Sequence, residues 1–167
     1  REAEPELHWL VARSPNDTIL VSMLHLARGA YDPTAAEAAR WVTDEPTYAP
    51  YRLALARAQV REHRYGLAAT AFDTLLAMTP APTPSQVREA ASAHSSAGDS
   101  LGNARLLARV LVLSSGDTSV RRSYADALSW SGDRARAIAQ YDTLIAQHPD
   151  PDLLLARGRL YAWSGNS

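Results

Sequence analysis

The sequence has no cysteine and no lysine, one phenylalanine and two methionines among its 167 residues. Without cysteine there is no disulfide framework, no thiol nucleophile and no cysteine zinc site. No apolar run reaches the length of a membrane-spanning helix, so membrane insertion by this segment is excluded on that ground. The formal net charge is −1, which argues against a dedicated nucleic-acid binder. Residues that favour strands, the β-branched and aromatic ones, are scarce. The basic residues are 17 arginines and nothing else, a bias expected of a GC-rich bacterial genome. Alanine and leucine together fill nearly a third of the chain, within a hydrophobic fraction of 46%. Both are strong helix formers. Such a composition with near-zero charge belongs to a folded, all-helical chain rather than a disordered one.

Catalytic signals are missing too. The histidines are His8, His25, His63, His94 and His148, and no two have the spacing that puts two ligands on one helical turn. There is no HExxH, no GxSxG elbow and no phosphate-cradling glycine loop. No enzyme activity, cofactor or metal is expected. His25 and His94 read as satisfied packing residues, and Asp150 or Asp152 as a helix cap. The chain begins at Arg1 without a methionine or a signal-peptide pattern. Its last apolar stretch, residues 153–163, reads as a helix without a following partner. Both ends suggest a segment of a longer protein.

The informative feature is an internal repeat. Phe72-Asp73-Thr74-Leu75-Leu76-Ala77 recurs, two repeat lengths on, as Tyr141-Asp142-Thr143-Leu144-Ile145-Ala146. Ser129-Trp130-Ser131-Gly132 recurs, one repeat length on, as Ala162-Trp163-Ser164-Gly165. Gly29, Gly98, Gly132 and Gly165 keep the same beat, with His63 in the intermediate place, and so do Pro46, Pro80 and Pro149. Glycine suits a left-handed turn that ends one helix, and proline stops the next. Two helices cross closely only where side chains are small, which assigns contact slots to Ser22, Ala56, Ala91, Ala125 and Gly158, and to Thr34, Ala68, Ala104 and Ala137. Larger residues fill the grooves between units: Phe72 and Tyr141, then Trp41, Leu75, Leu111 and Leu144. This alignment places one extra residue in the turn after Gly98, so that Ala104, Ala108 and Leu111 take the slots that strict counting gives to Asn103, Leu107 and Val110.

A period near 34 with small, glycine, aromatic and proline slots in this order resembles the tetratricopeptide repeat (TPR) family. The resemblance implies an all-α, right-handed solenoid of antiparallel helix pairs, a single segment over 1–167. Repeats fall at about 15–48, 49–82, 84–117 and 118–150, with half-repeats at 2–14 and 151–167. It also implies a non-catalytic scaffold for a protein or peptide partner. First helices of such a solenoid line its concave face, and the residues expected there are Arg57, Arg61, Arg88, Arg122, Asp126, Trp130, Arg159 and Trp163. Arginine forks suit carboxylates, and tryptophan faces suit sugar rings or aliphatic side chains. Two bland alternatives stand beside that. The arginines pair with acids of the adjacent unit, and the two tryptophans, at identical places in successive units, pack structurally at the turns. The asparagine required by carboxylate-clamp members of the family is absent from its slot, which holds Met23, Arg57, Ser92, Asp126 and Arg159, so chaperone-tail binding is not expected. The Ser-Trp-Ser-Gly turns are similar to those of bacterial envelope proteins, where such repeats precede an outer-membrane barrel in exopolysaccharide export. That resemblance implies a periplasmic location and an anionic polysaccharide as an additional partner. A cytoplasmic adaptor and the non-catalytic solenoid of a larger cell-wall enzyme are the alternatives.

Overall fold

The computed structural model describes residues 32–164. The expected half-repeat 2–14, the first helix of 15–48, and Ser22, Met23, His25, Gly29 and Gly165 lie outside them. Among the described residues there are eight helices and no strand. In chain order they are α1 (Ala35–Asp44), α2 (Ala49–Arg61), α3 (Tyr65–Met78), α4 (Pro84–Ser96), α5 (Ser100–Leu113), α6 (Thr118–Trp130), α7 (Arg134–Gln147) and α8 (Pro151–Ser164). None is long and apolar enough to cross a membrane.

The chain forms two compact units, one ending at Thr79 and one beginning at Pro80. In the first, α2 packs on both α1 and α3. Its core includes Ala38, Trp41, Tyr51 and Ala54. The Tyr51 ring sits 5.4 Å from that of Trp41 and edge-on to Tyr48 at 4.8 Å, arrangements that suit aromatic quadrupoles. In the second, every helix from α4 to α8 packs on its neighbour in sequence. Its buried residues include Val87, Leu107, Val110, Leu128, Tyr141, Leu144 and Leu160.

Local chemistry starts and stops these helices. Thr34 and Thr83 close α1 and α4 with capping boxes, reciprocated by Glu37 and Gln86. Asp99, Asp117 and Asp133 cap α5, α6 and α7, and Asp150 accepts the Asp152 amide at the start of α8. Within helix pairs the turn is one device used three times. His63, Gly98 and Gly132 have φ of 58°, 79° and 87°, and the next helix begins two residues later in each case. The amide after each left-handed residue returns to the fifth residue before it: Arg64 to Gln59, Asp99 to His94, Asp133 to Leu128. A histidine thus does at 63 what glycine does elsewhere, and its ring Nδ1 lies 2.7 Å from the Tyr65 hydroxyl.

That shared turn corrects the expected register of α5. No extra residue follows Gly98, and the larger residues that fill the core are Leu107 and Val110, both buried, rather than Ala108 and Leu111, which are half-buried. Ala104 is buried as expected, and Asn103 is half-buried. Gly102 lies close against this turn. A Cβ there would run into Asp99 and His94, because Asp99 accepts both the Gly102 amide at 2.8 Å and the buried His94 ring at 2.7 Å. These bonds, the Gly102 amide first, hold the Asp99 carboxyl below its ordinary pKa. Thr34 also departs from its expected small-residue slot: it is exposed and caps α1 instead of packing inside it. The slots at Ala56, Ala68, Ala91, Ala125 and Ala137 are all essentially inaccessible, as close helix crossing requires.

Candidate functional site

The expected concave-face residues divide between the two units. Arg57 and Arg61 are exposed on α2 of the first. Arg61 holds the chain entering α1, donating to the Pro33 carbonyl at 2.6 Å and pairing with Asp32 at 3.3 Å. Glu62 beside it accepts the Ala35 amide at 2.7 Å. In the second unit Arg88 and Arg122 occupy the fifth place of α4 and α6. Each reaches the N-cap of the first helix of the next pair: Arg88 to Asp117 at 2.6 Å, Arg122 to Asp150 at 3.8 Å. Asp117 is held below its ordinary pKa by its bonds from Ser119 and Val120 and by the Arg88 charge. These arginines brace successive helix pairs, as the bland alternative has it. A further brace went unseen in the sequence. Arg52 and Arg121, each the fourth residue of its helix, donate to carbonyls six residues back, Pro46 at 3.0 Å and Ser115 at 3.1 Å.

The remaining four come together. Asp126, Trp130, Arg159 and Trp163 line one groove of about 210 Å³ between α6 and α8, with Ser129, Tyr141, Ala156 and Leu160. Its floor is Tyr141, buried, whose hydroxyl donates to Asp126 Oδ1 at 2.5 Å. Burial and then that bond raise the tyrosine pKa well above its ordinary value. Arg159 is exposed and makes no hydrogen bond or ion pair with any described residue. Trp130 is 80% exposed and Trp163 56%. The alternative that they pack at the turns does not hold: Trp130, the last residue of α6, and Trp163, the last but one of α8, are both largely exposed. Such a groove can seat a carboxylate on Arg159 and flat or aliphatic groups on the indoles. Among the described residues, no group of three His, Cys, Asp or Glu could hold a metal ion.

No family model matches the chain, and no curated protein sequence does. Solved structures do. One, described as YrrB, a TPR protein with an unusual peptide-binding site, superposes with a TM-score of 0.68 at 17% identity, over 96% of this chain and 84% of that one. The MamA RS-1 ArsTM double mutant does so with a TM-score of 0.62 at 14% identity, over 86% and 81%. The fold is that of the tetratricopeptide repeat. At such identities the likeness speaks for TPR architecture alone. What this chain binds rests on its own residues.

Sequence reasoning found the four groove residues through their repeat positions but missed Tyr141 as a groove residue. Tyr141 had been assigned to packing, which it also does. The signal available was Asp126, an acid on the inferred concave face, fifteen residues before a tyrosine in the paired helix.

Proposed function

We propose that this TPR chain is a non-catalytic protein-interaction scaffold and that the α6–α8 groove is its binding surface. The occupant is a peptide that places a carboxylate on Arg159 and an apolar side chain against Trp130 and Trp163. The observation that carries this is the exposure of both indoles beside an arginine with no described partner. Exposed aromatic faces next to unused charge are what an interface anchor looks like before its partner arrives. A peptide-binding site in a solved protein of the same fold adds support. Arg88 and Arg122 serve the scaffold here, not the ligand.

The test is a panel of short peptides with a carboxylate adjacent to Leu, Ile or Met, measured by fluorescence anisotropy. Trp130→Ala with Arg159→Glu should weaken the best binder by about tenfold or more. Equal affinity for wild type and variant would reject the groove.

One observation favours a second occupant. The two exposed indoles are also surfaces on which sugar rings stack. On that reading the segment works in the bacterial periplasm as the repeat region of an exopolysaccharide-export outer-membrane protein, and meets an anionic polysaccharide. Glycan binding that is lost in Trp130→Ala, with no peptide bound, would favour export. Peptide binding by a cytoplasmic parent protein would favour the adaptor.

A further inference from the structure

Helix α5 has an unusual solvent face. Its exposed residues are Leu101, Arg105, Arg109, Val112 and Leu113, all apolar or cationic, and the helix contains no acid. Leu101 is 69% exposed and Val112 84%. A helix face serving only to meet water carries mixed polar residues. The equivalent helix of the next pair, α7, shows the difference, with Arg134, Arg136, Asp142 and Gln147 among its exposed residues. Beside α5 runs a groove of about 390 Å³, lined by Leu101, Ala104, Arg105 and Ala108, by Tyr124 and Leu128 of α6, and by Arg136 of α7. It is larger than the α6–α8 groove and shares no lining residue with it.

The charges around this face are uneven. Arg105 and Arg109 form no hydrogen bond or close ion pair with any described residue. Asp99 lies near enough to Arg105 to feel its charge but is bonded to Gly102 and His94. Arg136 is paired with Asp133, its own N-cap. The two arginines without close partners are four residues apart, hence on one face of α5 and about one helical turn apart.

We infer that this face is a second docking surface, separate from the proposed peptide groove, and that its occupant is an acidic amphipathic helix of a protein partner. Two carboxylates four residues apart on that helix meet Arg105 and Arg109. Leucine-sized side chains on the same face enter the groove against Leu101, Ala104, Ala108 and Leu128. The carboxylate spacing matches the arginine spacing because both are set by the same helical repeat. The exposed apolar residues supply the area that charge alone does not, since exposed ion pairs contribute little by themselves.

The experiment is display selection from a library of helical peptides. Glu or Lys is allowed at two places four apart, and the intervening face is randomised. Selected peptides should carry Glu at both places and apolar residues between them. Binding should weaken by about tenfold or more in Arg105→Glu with Arg109→Glu, and also in Leu101→Ser, which alters an exposed residue and should leave the melting curve unchanged. Arg40→Glu with Arg134→Glu makes the same change in charge on other helices and should alter affinity by less than about threefold. Trp130→Ala should have no effect, which separates this surface from the peptide groove. Selection of Lys peptides would overturn the inference, as would equal weakening by both double variants. So would binding to phosphatidylglycerol vesicles with no peptide enriched, which would make the face a lipid-binding one.

Discussion

The α4–α6 groove and the α6–α8 groove are made by the same steps of the chain. The ninth residues of α4, α6 and α8 are Ser92, Asp126 and Arg159, and the thirteenth are Ser96, Trp130 and Trp163. The first groove, about 350 Å³, is therefore lined largely by small and hydroxyl-bearing residues: Ala91, Ser92, Ser95, Ser119 and Ser123, with Asn103, Leu107, Val120 and the already paired Arg88. The second, about 210 Å³, presents two indoles, a cation and a tyrosine–carboxylate pair. Closely matched helix lengths, turns and caps thus carry unlike surfaces. The repeat sets where a groove lies, and two side chains per first helix set what it can hold.

The largest effect expected is on the floor of the aromatic groove. Tyr141→Ala should cost about 3–5 kcal/mol, measured by denaturant unfolding, because it removes a buried ring. A small loss would mean that the groove is not built on the core. Next come the turns that the two grooves share. Gly98→Ala and Gly132→Ala should each cost about 1–2 kcal/mol, since both place a side chain in the left-handed region. A large difference between them would break the claim that the scaffold is common.

Binding should separate the grooves most cleanly. Ser92→Ala with Ser123→Ala should leave affinity for the best-binding peptide of the carboxylate panel within about twofold, against the tenfold loss expected for Trp130→Ala with Arg159→Glu. A smaller and pH-dependent effect is expected of Tyr141→Phe, about 0.5–1.5 kcal/mol near neutrality. The folded phenol keeps its proton above its ordinary value of 10.0, while the unfolded chain releases it there. The stability this supplies is complete below that pH and lost as pH rises beyond it. Melting curves of wild type should thus fall more steeply than those of Tyr141→Phe in alkali. The smallest effect should come from the braces. Arg88→Gln should lower the melting temperature slightly, Arg122→Gln less because its pair is longer, and both differences should fade in high salt.

Much of the fold was legible in the sequence because its signals are local. Alanine at 56, 68, 91, 125 and 137 is required wherever two helices touch, and glycine at 98 and 132 wherever the chain turns left-handed. The register of α5 was misread for a physical reason. Ala104, Ala108 and Leu111 look more like the repeat than Asn103, Leu107 and Val110, but the turn geometry, the same as at His63 and Gly132, starts the helix without an extra residue. His94 and Asp99 then occupy the space that the missing Cβ of Gly102 leaves open.

The candidate site was legible only as a set of repeat positions. Periodicity put all the candidates on one inferred face, but it cannot tell a guanidinium already held by an acid of the neighbouring helix pair from one that is unclaimed. Arg61, Arg88 and Arg122 are held; Arg159 has no such partner among the described residues. Nor can it tell an indole that packs from one that faces solvent.

The sequence by itself determined the helical class, the period, the turns and the helix crossings, because each depends on backbone freedom, propensity and side-chain size within a few residues. Tertiary structure decided which charges were already neutralised, which aromatic faces were covered, and which helix kept an apolar, cationic face toward water. Those properties belong to pairs of groups brought together from different helices, and neither member carries them alone.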